Sequence, residues 1–490
     1  MRRGLFSLSD LPAWCVLNDV NFVGVKVANI SGRGYGLIAE KDLVSGDDNF
    51  EPPTLLTVPK ELILSAEGVE EYAKESKDFR QLLDAAGHQS TRGDILLFLL
   101  VQLVLSSPEY EGGQGPLTPW TQYFCLLPEE VPTPTMWNES ELSLLKGTSL
   151  EPAVSAKLTT LTKEFDNLRA KVVELSFWNE LLSIDETITI RDWVILDALY
   201  RSRSLDLPKS GESMVPCLDL VNHSNQATAY FEEKYKGEVA LHLRTGGTAT
   251  RGDEITIDYG HDKSPAEMLF SYGFIEPDST TRSLILPLEP LDDDPLAAAK
   301  LHAFGASPKL RLEEDGSGIP HWSAPFVYLM CLNEEGEGPL APEAFDLIPD
   351  GLKFRVLQET DGSRHLKMFW QDVDITDEPN TVKDIIQGHE LHQIFELRAM
   401  TVVLNIVQQK LEELTSVKDS VLGLVRAETR QAASYLRSLE TGILERSLQV
   451  LDEQTSQLLQ DETVIGYLQA MESNENVLSA EAANDEDDFS

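Results

Sequence analysis

The chain has 490 residues, and its 40 Lys and Arg residues against 82 Asp and Glu residues give a formal net charge of −42. This acidic excess argues against broad binding to nucleic-acid phosphates, which needs clustered cations. It fits equally a protein that attracts basic polypeptides and one whose charge only keeps it soluble. The four cysteines form no C-x-C or C-x-x-C pair, so we expect free thiols in a reducing compartment and no metal site.

The amino-terminal half of the chain changes from strand patterns to helix patterns. Residues Val23–Pro59 alternate short apolar runs with Gly, Asp and Pro, which predicts several short antiparallel strands. Arg92–Ser106 is strongly apolar and predicts a helix, and Glu109–Pro119 is a Gly/Pro-rich loop. Apolar residues at helical spacing predict an amphipathic helix over Lys157–Leu182, and Thr189–Tyr200 predicts another. A helical segment of more than a hundred residues therefore separates two β-rich regions.

Strand patterns return at Val239–Leu243 and Ile255–Tyr259, where three short motifs accompany them. The motifs read P-C-L-D-L-V-N-H-S at Pro216–Ser224, G-D-E-I-T-I-D-Y-G at Gly252–Gly260 and S-Y-G-F at Ser271–Phe274. Each motif alone is weak evidence, because an Asn-His-Ser turn can simply cap a strand and a strand-end tyrosine is usually part of a core. The evidence lies in the order of the three motifs along the chain and in the spacing between them.

The carboxyl-terminal region has a different residue pattern, which predicts mostly helices. Leu291–Ser307 is acidic and then helical, and long amphipathic helices are predicted over Asp384–Leu414 and Val421–Leu459. Such helices usually form core or helix-pairing surfaces, so we assign no chemistry to them. The acidic segment Met471–Ser490 predicts disorder. The amino terminus has no secretory signal, and no stretch approaches the length of a membrane span, so we expect no membrane partner.

Taken together, the three motifs resemble the carboxyl half of a SET-domain protein methyltransferase. Ser31–Ala39, S-G-R-G-Y-G-L-I-A, resembles the G-x-G-L turn that opens such domains, although alone it is more often a plain hairpin. The helical insert, the segment around Trp120 and the R-S-R at Arg201–Arg203 are similar to the Rubisco large-subunit lysine methyltransferase class. Arg437–Leu444 resembles a stretch late in the substrate-binding domain of that class, and Leu205 replaces its aromatic residue after R-S-R.

The resemblance implies an α+β fold: a β-rich SET fold interrupted by a helical insert and followed by a mostly helical substrate-binding domain. The expected segments are the first part of the SET domain at 1–60, the insert at 61–188, the second part of the SET domain at 189–286, the substrate-binding domain at 287–460 and an acidic, disordered tail at 461–490.

The resemblance also implies S-adenosyl-L-methionine as the cofactor. Asn222 and His223 resemble the pair whose backbone reads the adenine edge, so His223 is expected to be neither a general base nor a metal ligand. Arg203 matches a position that meets the cofactor carboxylate, but a surface salt bridge explains it nearly as well. The residues expected at the cofactor are Arg33, Gly34, Tyr35, Ser202, Arg203, Asp219, Asn222, His223, Tyr259 and Phe274.

Two tyrosines are the expected catalytic residues. By resemblance, the Tyr259 hydroxyl points at the transferring methyl group and the amine, and Tyr272 forms a wall of the lysine channel. The alternative for Tyr259 is a core tyrosine anchored by its hydroxyl. The cofactor carries the reactive group, and a dry channel beside a sulfonium lowers the pKa of a lysine, so no strong side-chain base is needed.

The sequence thus predicts a protein-lysine methyltransferase acting on a non-histone protein with a basic target segment. Histidine methylation and a catalytically inactive SET-fold module that binds basic polypeptides are the alternatives. We expect a monomer in the cytoplasm or nucleus, with no nucleic-acid partner.

Overall fold

The computed structural model describes residues 1–46 except 2 and 5, 51–109, 116–276, 281–332 except 292 and 293, 351–358, 364–376, 381–416 and 424–470. The chain divides into two compact units. Unit 1 comprises Met1–Ser143, Leu150–Ser279 and Gly423–Ala432, and unit 2 comprises Leu144–Ser149, Thr280–Leu422 and Ala433–Ser490. Each unit has its own apolar core.

Unit 1 contains small antiparallel sheets with the strand orders β1-β5-β9-β8, β11-β3-β2, β10-β4 and β6-β7. The strands are β1 Asn21–Phe22, β2 Val25–Ile30, β3 Gly34–Ala39, β4 Leu43–Val44, β5 Thr54–Val58, β6 Ser204–Leu207, β7 Gly211–Met214, β8 Ala229–Glu233, β9 Val239–Leu243, β10 Thr248–Ala249 and β11 Glu254–Ile255.

Helices fill the segment between β5 and β6 and flank the sheets. They are α1 Leu11–Leu17, α2 Ala66–Glu75, α3 Lys77–Ala86, α4 Thr91–Ser106, α5 Pro119–Phe124, α6 Glu139–Leu142, α7 Leu150–Lys171, α8 Ser176–Asn179, α9 Ile190–Arg203 and α10 Pro265–Tyr272. Short 3₁₀ turns lie at Lys60–Leu62, Pro134–Met136, Ser143–Leu145 and Leu218–Leu220, and a π turn at Glu180–Ile184. The order of strands, helical insert and strands confirms the predicted fold class for this part of the chain.

The helix α4 shows why the insert folds as it does. Its residues from Ile95 to Val104 are all buried, as expected for a helix that is apolar on every side. The Ser90 hydroxyl begins the helix by accepting a hydrogen bond from the Gly93 N–H at 3.1 Å. The predicted helix over Lys157–Leu182 is in fact interrupted, because a turn closed by Leu175 N–H and Val172 C=O redirects the chain after α7.

Unit 2 combines helices with two three-stranded sheets, of order β12-β13-β14 and β15-β16-β17. Its elements are β12 Ser283–Pro287, α11 Ala297–Phe304, β13 Lys309–Glu314, β14 Pro320–Ser323, α12 Pro325–Met330, β15 Leu352–Gln358, β16 Arg364–Trp370, β17 Val373–Asp374, α13 Val382–Ile386, α14 His392–Ser416 and α15 Ala427–Leu458, whose first residues belong to unit 1.

These two sheets were not predicted, although β13 (K-L-R-L-E-E) and β15 (L-K-F-R-V-L-Q) alternate apolar and polar residues as strands do. Two segment limits also differ from those predicted. Strand β12 pairs with β13 of unit 2, so unit 2 begins before residue 287. Residues 462–470 are helical, although the predicted disordered tail begins at 461; the rest of that tail lies outside the described residues. In the described part of the chain, no helix has the length and apolar character to cross a membrane.

Candidate functional site

The hairpin of β2 and β3 places a glycine-rich turn at the edge of the candidate site. Gly32 and Gly34 have φ angles of 75° and 74°, which side chains rarely tolerate. No described atom lies within 4 Å of the position that a Cβ would take at either glycine, so open space adjoins the backbone. Between them, the Arg33 N–H closes the turn onto the Ile30 carbonyl at 3.0 Å.

A carboxylate on β11 ties this turn to the Asn222-His223 motif. Glu254 accepts a hydrogen bond from Arg33 Nη1 at 2.7 Å and another from Asn222 Nδ2 at 2.7 Å. Arg33 Nη2 also donates to the His223 carbonyl. A Cβ on Gly36 would lie 2.7 Å from Asn222 Nδ2 and 3.0 Å from a Glu254 oxygen, so the cluster needs glycine there.

The segment after β11 pairs mainly with this motif and also accepts one hydrogen bond from β8, from the Ala229 N–H to the Thr256 carbonyl at 2.9 Å. Ile257 N–H donates to the Asn222 carbonyl at 3.0 Å, and the Ser224 N–H donates back to the Ile257 carbonyl at 3.0 Å. The predicted strand over Ile255–Tyr259 is therefore wrong beyond Ile255, where only an isolated parallel bridge between His223 and Ile257 follows.

The His223 ring connects this turn to Tyr259. Its Nδ1 accepts a hydrogen bond from the Tyr259 N–H at 3.1 Å, and its Nε2 lies 3.0 Å from a Glu276 carboxylate oxygen. The ring is 4% exposed. Both nitrogens are engaged in holding the chain, which is consistent with the prediction that His223 is not a general base.

Four rings pack around this point. The Tyr259 and Tyr272 centroids are 4.7 Å apart, and the His223 centroid lies 5.2 Å from Tyr259 and 6.0 Å from Phe274. Tyr272 and Phe274 are 6.3 Å apart, and the Tyr272 hydroxyl donates to the Tyr259 carbonyl at 3.4 Å. The structure thus brings together the two tyrosines and the phenylalanine that the motifs predicted.

The Tyr259 hydroxyl has a fixed direction and protonation state. It donates to the Val221 carbonyl at 2.7 Å, which leaves its oxygen lone pairs to accept. Burial raises the pKa of Tyr259 above its ordinary value, so the phenol is neutral at physiological pH. It can orient a nitrogen or stabilise charge, but it is poorly suited to act as a phenolate base.

Lys263 lies beside this ring cluster and was not predicted. Its Nζ donates to the Tyr259 carbonyl and lies 5.8 Å from the centroid of Tyr272. Gly260, between Tyr259 and Lys263, has a φ of 128°, a backbone conformation that L side chains rarely adopt, so the D-Y-G motif needs glycine there. The motif's position in the sequence gave no sign of this contact.

Arg203 and Asp219 form a buried pair. Arg203 Nη1 donates to the Asp219 carbonyl at 2.9 Å and lies 3.3 Å from its carboxylate, which also accepts from the Tyr123 hydroxyl. Burial raises the pKa of Asp219, and Arg203 opposes this rise. The Arg203 Nε is buried and has no hydrogen-bond partner among the described residues. The ion pair weighed as an alternative for Arg203 exists, but it is buried and not on the surface.

Two of the predicted cofactor residues make only local contacts in this structure. The Ser202 hydroxyl donates to the Leu199 carbonyl of its own helix at 3.3 Å. The Tyr35 side chain is partly buried and packs against the core of unit 1. Among the described residues, no group of three or more His, Cys, Asp or Glu side chains could hold a metal ion.

Sequence reasoning missed four residues that shape the site: Gly36, Glu254, Lys263 and Glu276. Glu254 lies inside the G-D-E-I-T-I-D-Y-G motif and Glu276 follows S-Y-G-F by two residues, so proximity to the motifs was the available signal. Gly36 lies inside the motif at Ser31–Ala39, but only the folded chain shows what a Cβ would meet there.

Comparison with known proteins supplies the family. No protein-family model matches the chain. The chain is 30% identical over 316 residues to "SET domain-containing protein 8" of Schizosaccharomyces pombe, covering 64% of this chain and 68% of that protein. It is 26% identical over 311 residues to an Arabidopsis thaliana fructose-bisphosphate aldolase-lysine N-methyltransferase, and 24% identical over 343 residues to a zebrafish actin-histidine N-methyltransferase.

The last two matches are partial. The chain spans 59% of the length of the aldolase-lysine enzyme and 53% of the actin-histidine enzyme. The structural similarity covers more of the chain than the sequence matches do. A crystal structure of the SET domain of LSMT, bound to lysine and AdoHcy, superposes with a TM-score of 0.64 over 93% of both chains at 21% identity. At that identity the likeness shows the fold.

Proposed function

This chain belongs to the SET-domain protein family, and on that basis we propose that it transfers methyl groups from S-adenosyl-L-methionine to a lysine side chain of a non-histone protein. The observation that carries the proposal is Tyr259. Its neutral hydroxyl is aimed by the Val221 carbonyl, its backbone N–H is held by His223, and Tyr272 lies against its ring.

The residues around the β2–β3 turn fit the cofactor. Open space beside Gly32 and Gly34 allows a ligand to approach the backbone, and the unpartnered, buried Arg203 Nε is a donor for a carboxylate. The His223 carbonyl accepts from Arg33 and has a second lone pair for an adenine amine. Asn222 holds this turn through Glu254. S-adenosyl-L-methionine supplies an electrophilic methyl group on a sulfonium, so the protein needs to supply alignment and desolvation.

The roles of the aromatic residues follow from their geometry. Tyr259, neutral and fixed, offers lone pairs to the attacking nitrogen and a dipole to the charge that changes during transfer. Tyr272 and Phe274 provide apolar walls, which accept an alkylated amine without forming hydrogen bonds to it. A lysine must lose its proton before it attacks, and burial among these rings lowers its pKa.

Lysine is favoured over histidine as the acceptor for one reason from the site. The Lys263 ammonium donates a hydrogen bond to the Tyr259 carbonyl and lies over the Tyr272 ring, so these groups suit an alkylammonium. Histidine is the second candidate, because one relative of this chain is an actin-histidine methyltransferase. We further propose that the protein substrate has a basic target segment, in keeping with the net charge of −42, and that unit 2 selects it.

The test is a methyl-transfer assay followed by identification of the modified residue. Proteome extracts from cells lacking the gene are incubated with the purified chain and S-adenosyl-L-methionine carrying a labelled methyl group, with the Tyr259→Phe variant in parallel. Labelled lysine that depends on Tyr259 supports the proposal, and labelled histidine supports the second candidate. Cofactor binding by calorimetry without any transfer would identify an inactive binding module.

A further inference from the structure

The His223 imidazole has a defined tautomer. A backbone N–H can only donate, so the bond from the Tyr259 N–H at 3.1 Å requires an unprotonated Nδ1. The ring hydrogen then lies on Nε2, which faces Glu276 Oε2 at 3.0 Å. The hydrogen-bonded order is therefore Glu276, His223 and the Tyr259 backbone.

Glu276 is the group that fixes this tautomer. The other nearby carboxylate, Asp258, has its oxygen 3.9 Å from Nδ1, too far for a hydrogen bond, and it faces the nitrogen that Tyr259 already occupies. Glu276 also accepts from the Asn225 N–H at 3.4 Å, a long contact at an exposed group. Its main partner is thus the buried ring.

We propose that Glu276 is a positioning residue for methyl transfer: by accepting the Nε2 hydrogen of His223, it keeps Nδ1 free to hold the Tyr259 N–H. The inference rests on the proposed role of Tyr259. That residue is held at two ends, by His223 at its backbone and by the Val221 carbonyl at its hydroxyl. In the other tautomer, an Nδ1 hydrogen would face the Tyr259 N–H, and the repulsion would displace the tyrosine backbone.

The first measurement is of the tautomer itself. The full-length chain is labelled with ¹⁵N-histidine, and two-bond ¹H–¹⁵N correlation spectra distinguish protonated from unprotonated ring nitrogens. The His223 signals are assigned by their loss in His223→Gln. We expect the Nε2–H form in the wild-type chain and in Glu276→Gln, whose amide oxygen still accepts, and a shift toward the Nδ1–H form in Glu276→Ala.

The second measurement is kinetic, on the labelled-methyl assay. We expect Glu276→Ala to lower kcat about tenfold, the scale of losing one hydrogen bond to a charged group, while KM for the protein stays unchanged. Glu276→Gln should recover kcat. The control is Asp262→Ala, which removes a carboxylate that is 84% exposed and should leave kcat at the wild-type value.

The outcomes separate this inference from the proposed function. An active wild-type chain with an Nδ1–H tautomer, or with kcat unchanged in Glu276→Ala, overturns the positioning role alone. A fall in melting temperature without a change in tautomer would make Glu276 a purely structural residue and equally overturn it. A wild-type chain that binds the cofactor but transfers no methyl group overturns the proposed function and, with it, any catalytic role for Glu276.

Discussion

The two units of this chain bury polar groups for different purposes. In unit 1, the buried Asp219 and His223 and the partly buried Glu254 each fix a backbone turn or an aromatic ring of the candidate site or its surroundings. In unit 2, the buried ammonium of Lys300, 1% exposed, is held by the Asp294 carboxylate and by the carbonyls of Met330 and Leu332. The polar groups of unit 1 position Tyr259 and its hydroxyl, whereas the Lys300 ammonium of unit 2 joins the ends of a helix and a loop.

This difference indicates where chemistry and recognition lie. Tyr259 is held at its backbone by His223 and at its hydroxyl by the Val221 carbonyl, which suits a group that must be aligned with reacting atoms. Unit 2 has an apolar core built by Phe326, Phe395 and Trp370, together with sheets and long helices that offer surface. We therefore assign methyl transfer to unit 1 and selection of the protein substrate to unit 2, and the predictions below test that assignment.

The largest expected effect is that of Tyr259→Phe. Removing the hydroxyl deletes a fixed dipole in the transition state, so we expect methyl transfer to fall by roughly 10²–10³ while cofactor affinity stays intact. Initial rates and calorimetric titration measure the two quantities. The matched control is Tyr72→Phe, which removes another partly buried hydroxyl that donates to a backbone carbonyl in unit 1, at 3.3 Å from Pro116 O. Transfer by Tyr259→Phe within twofold of wild type would refute the role of Tyr259.

The second prediction concerns Gly36→Ala. The added methyl group would lie 2.7 Å from Asn222 Nδ2 and 2.8 Å from Ile30, so the cluster around Glu254 must move. We expect a loss of about 1–3 kcal/mol in the free energy of unfolding, typical of overpacking, together with weaker cofactor binding. Chemical denaturation and calorimetry measure both. In unit 2, Gly316→Ala meets no described atom within 4 Å and should change neither; equal behaviour of the two variants would contradict the packing argument.

The sequence predicted the contacts that a family resemblance supplied and missed those that only the folded chain shows. The motifs at Asn222, His223, Tyr259 and Tyr272 predicted groups that the fold does bring together, because the order and spacing of the motifs resemble those of a known family, even though His223 and Tyr259 are 36 positions apart. The bonds from Glu254 to Arg33 and from His223 to Glu276 span more than fifty residues, and no periodicity encodes them. The two sheets of unit 2 were missed although β13 and β15 alternate apolar and polar residues, because a short alternating segment becomes a strand only where a partner strand pairs with it.

The third prediction concerns Asn222→Ala. This change removes the 2.7 Å hydrogen bond to Glu254 and loosens the turn whose backbone faces the cofactor. We expect the Kd for S-adenosyl-L-methionine to rise about tenfold, which corresponds to roughly 1.4 kcal/mol, the scale of one hydrogen bond to a charged group. Calorimetric titration is the measurement, and Asn405→Ala, an exposed position on α14 of unit 2, is the control. Unchanged affinity with a native melting temperature would remove Asn222 from the cofactor site.

The smallest effect is expected in unit 2, and there the structure changes the choice of positions. The sequence predicts a long amphipathic helix over Asp384–Leu414, but the apolar residues of α14 are buried or half-buried, among them Leu404 and Leu411, which pack on the core. Exposed apolar side chains lie instead on the β15–β17 sheet, where Val356 is 65% and Val373 is 63% exposed.

We therefore expect Val356→Thr and Val373→Thr to raise KM for the natural protein substrate about threefold each, since most single contacts in an interface contribute less than 1 kcal/mol. Cofactor affinity and the slow methylation of a short peptide should not change, because both depend on unit 1. Val16→Thr, at a residue of α1 that is 78% exposed, is the control in unit 1. Parallel loss of cofactor binding and protein methylation in the folded unit 2 variants would mean that one site uses both units, and the division of labour would be wrong.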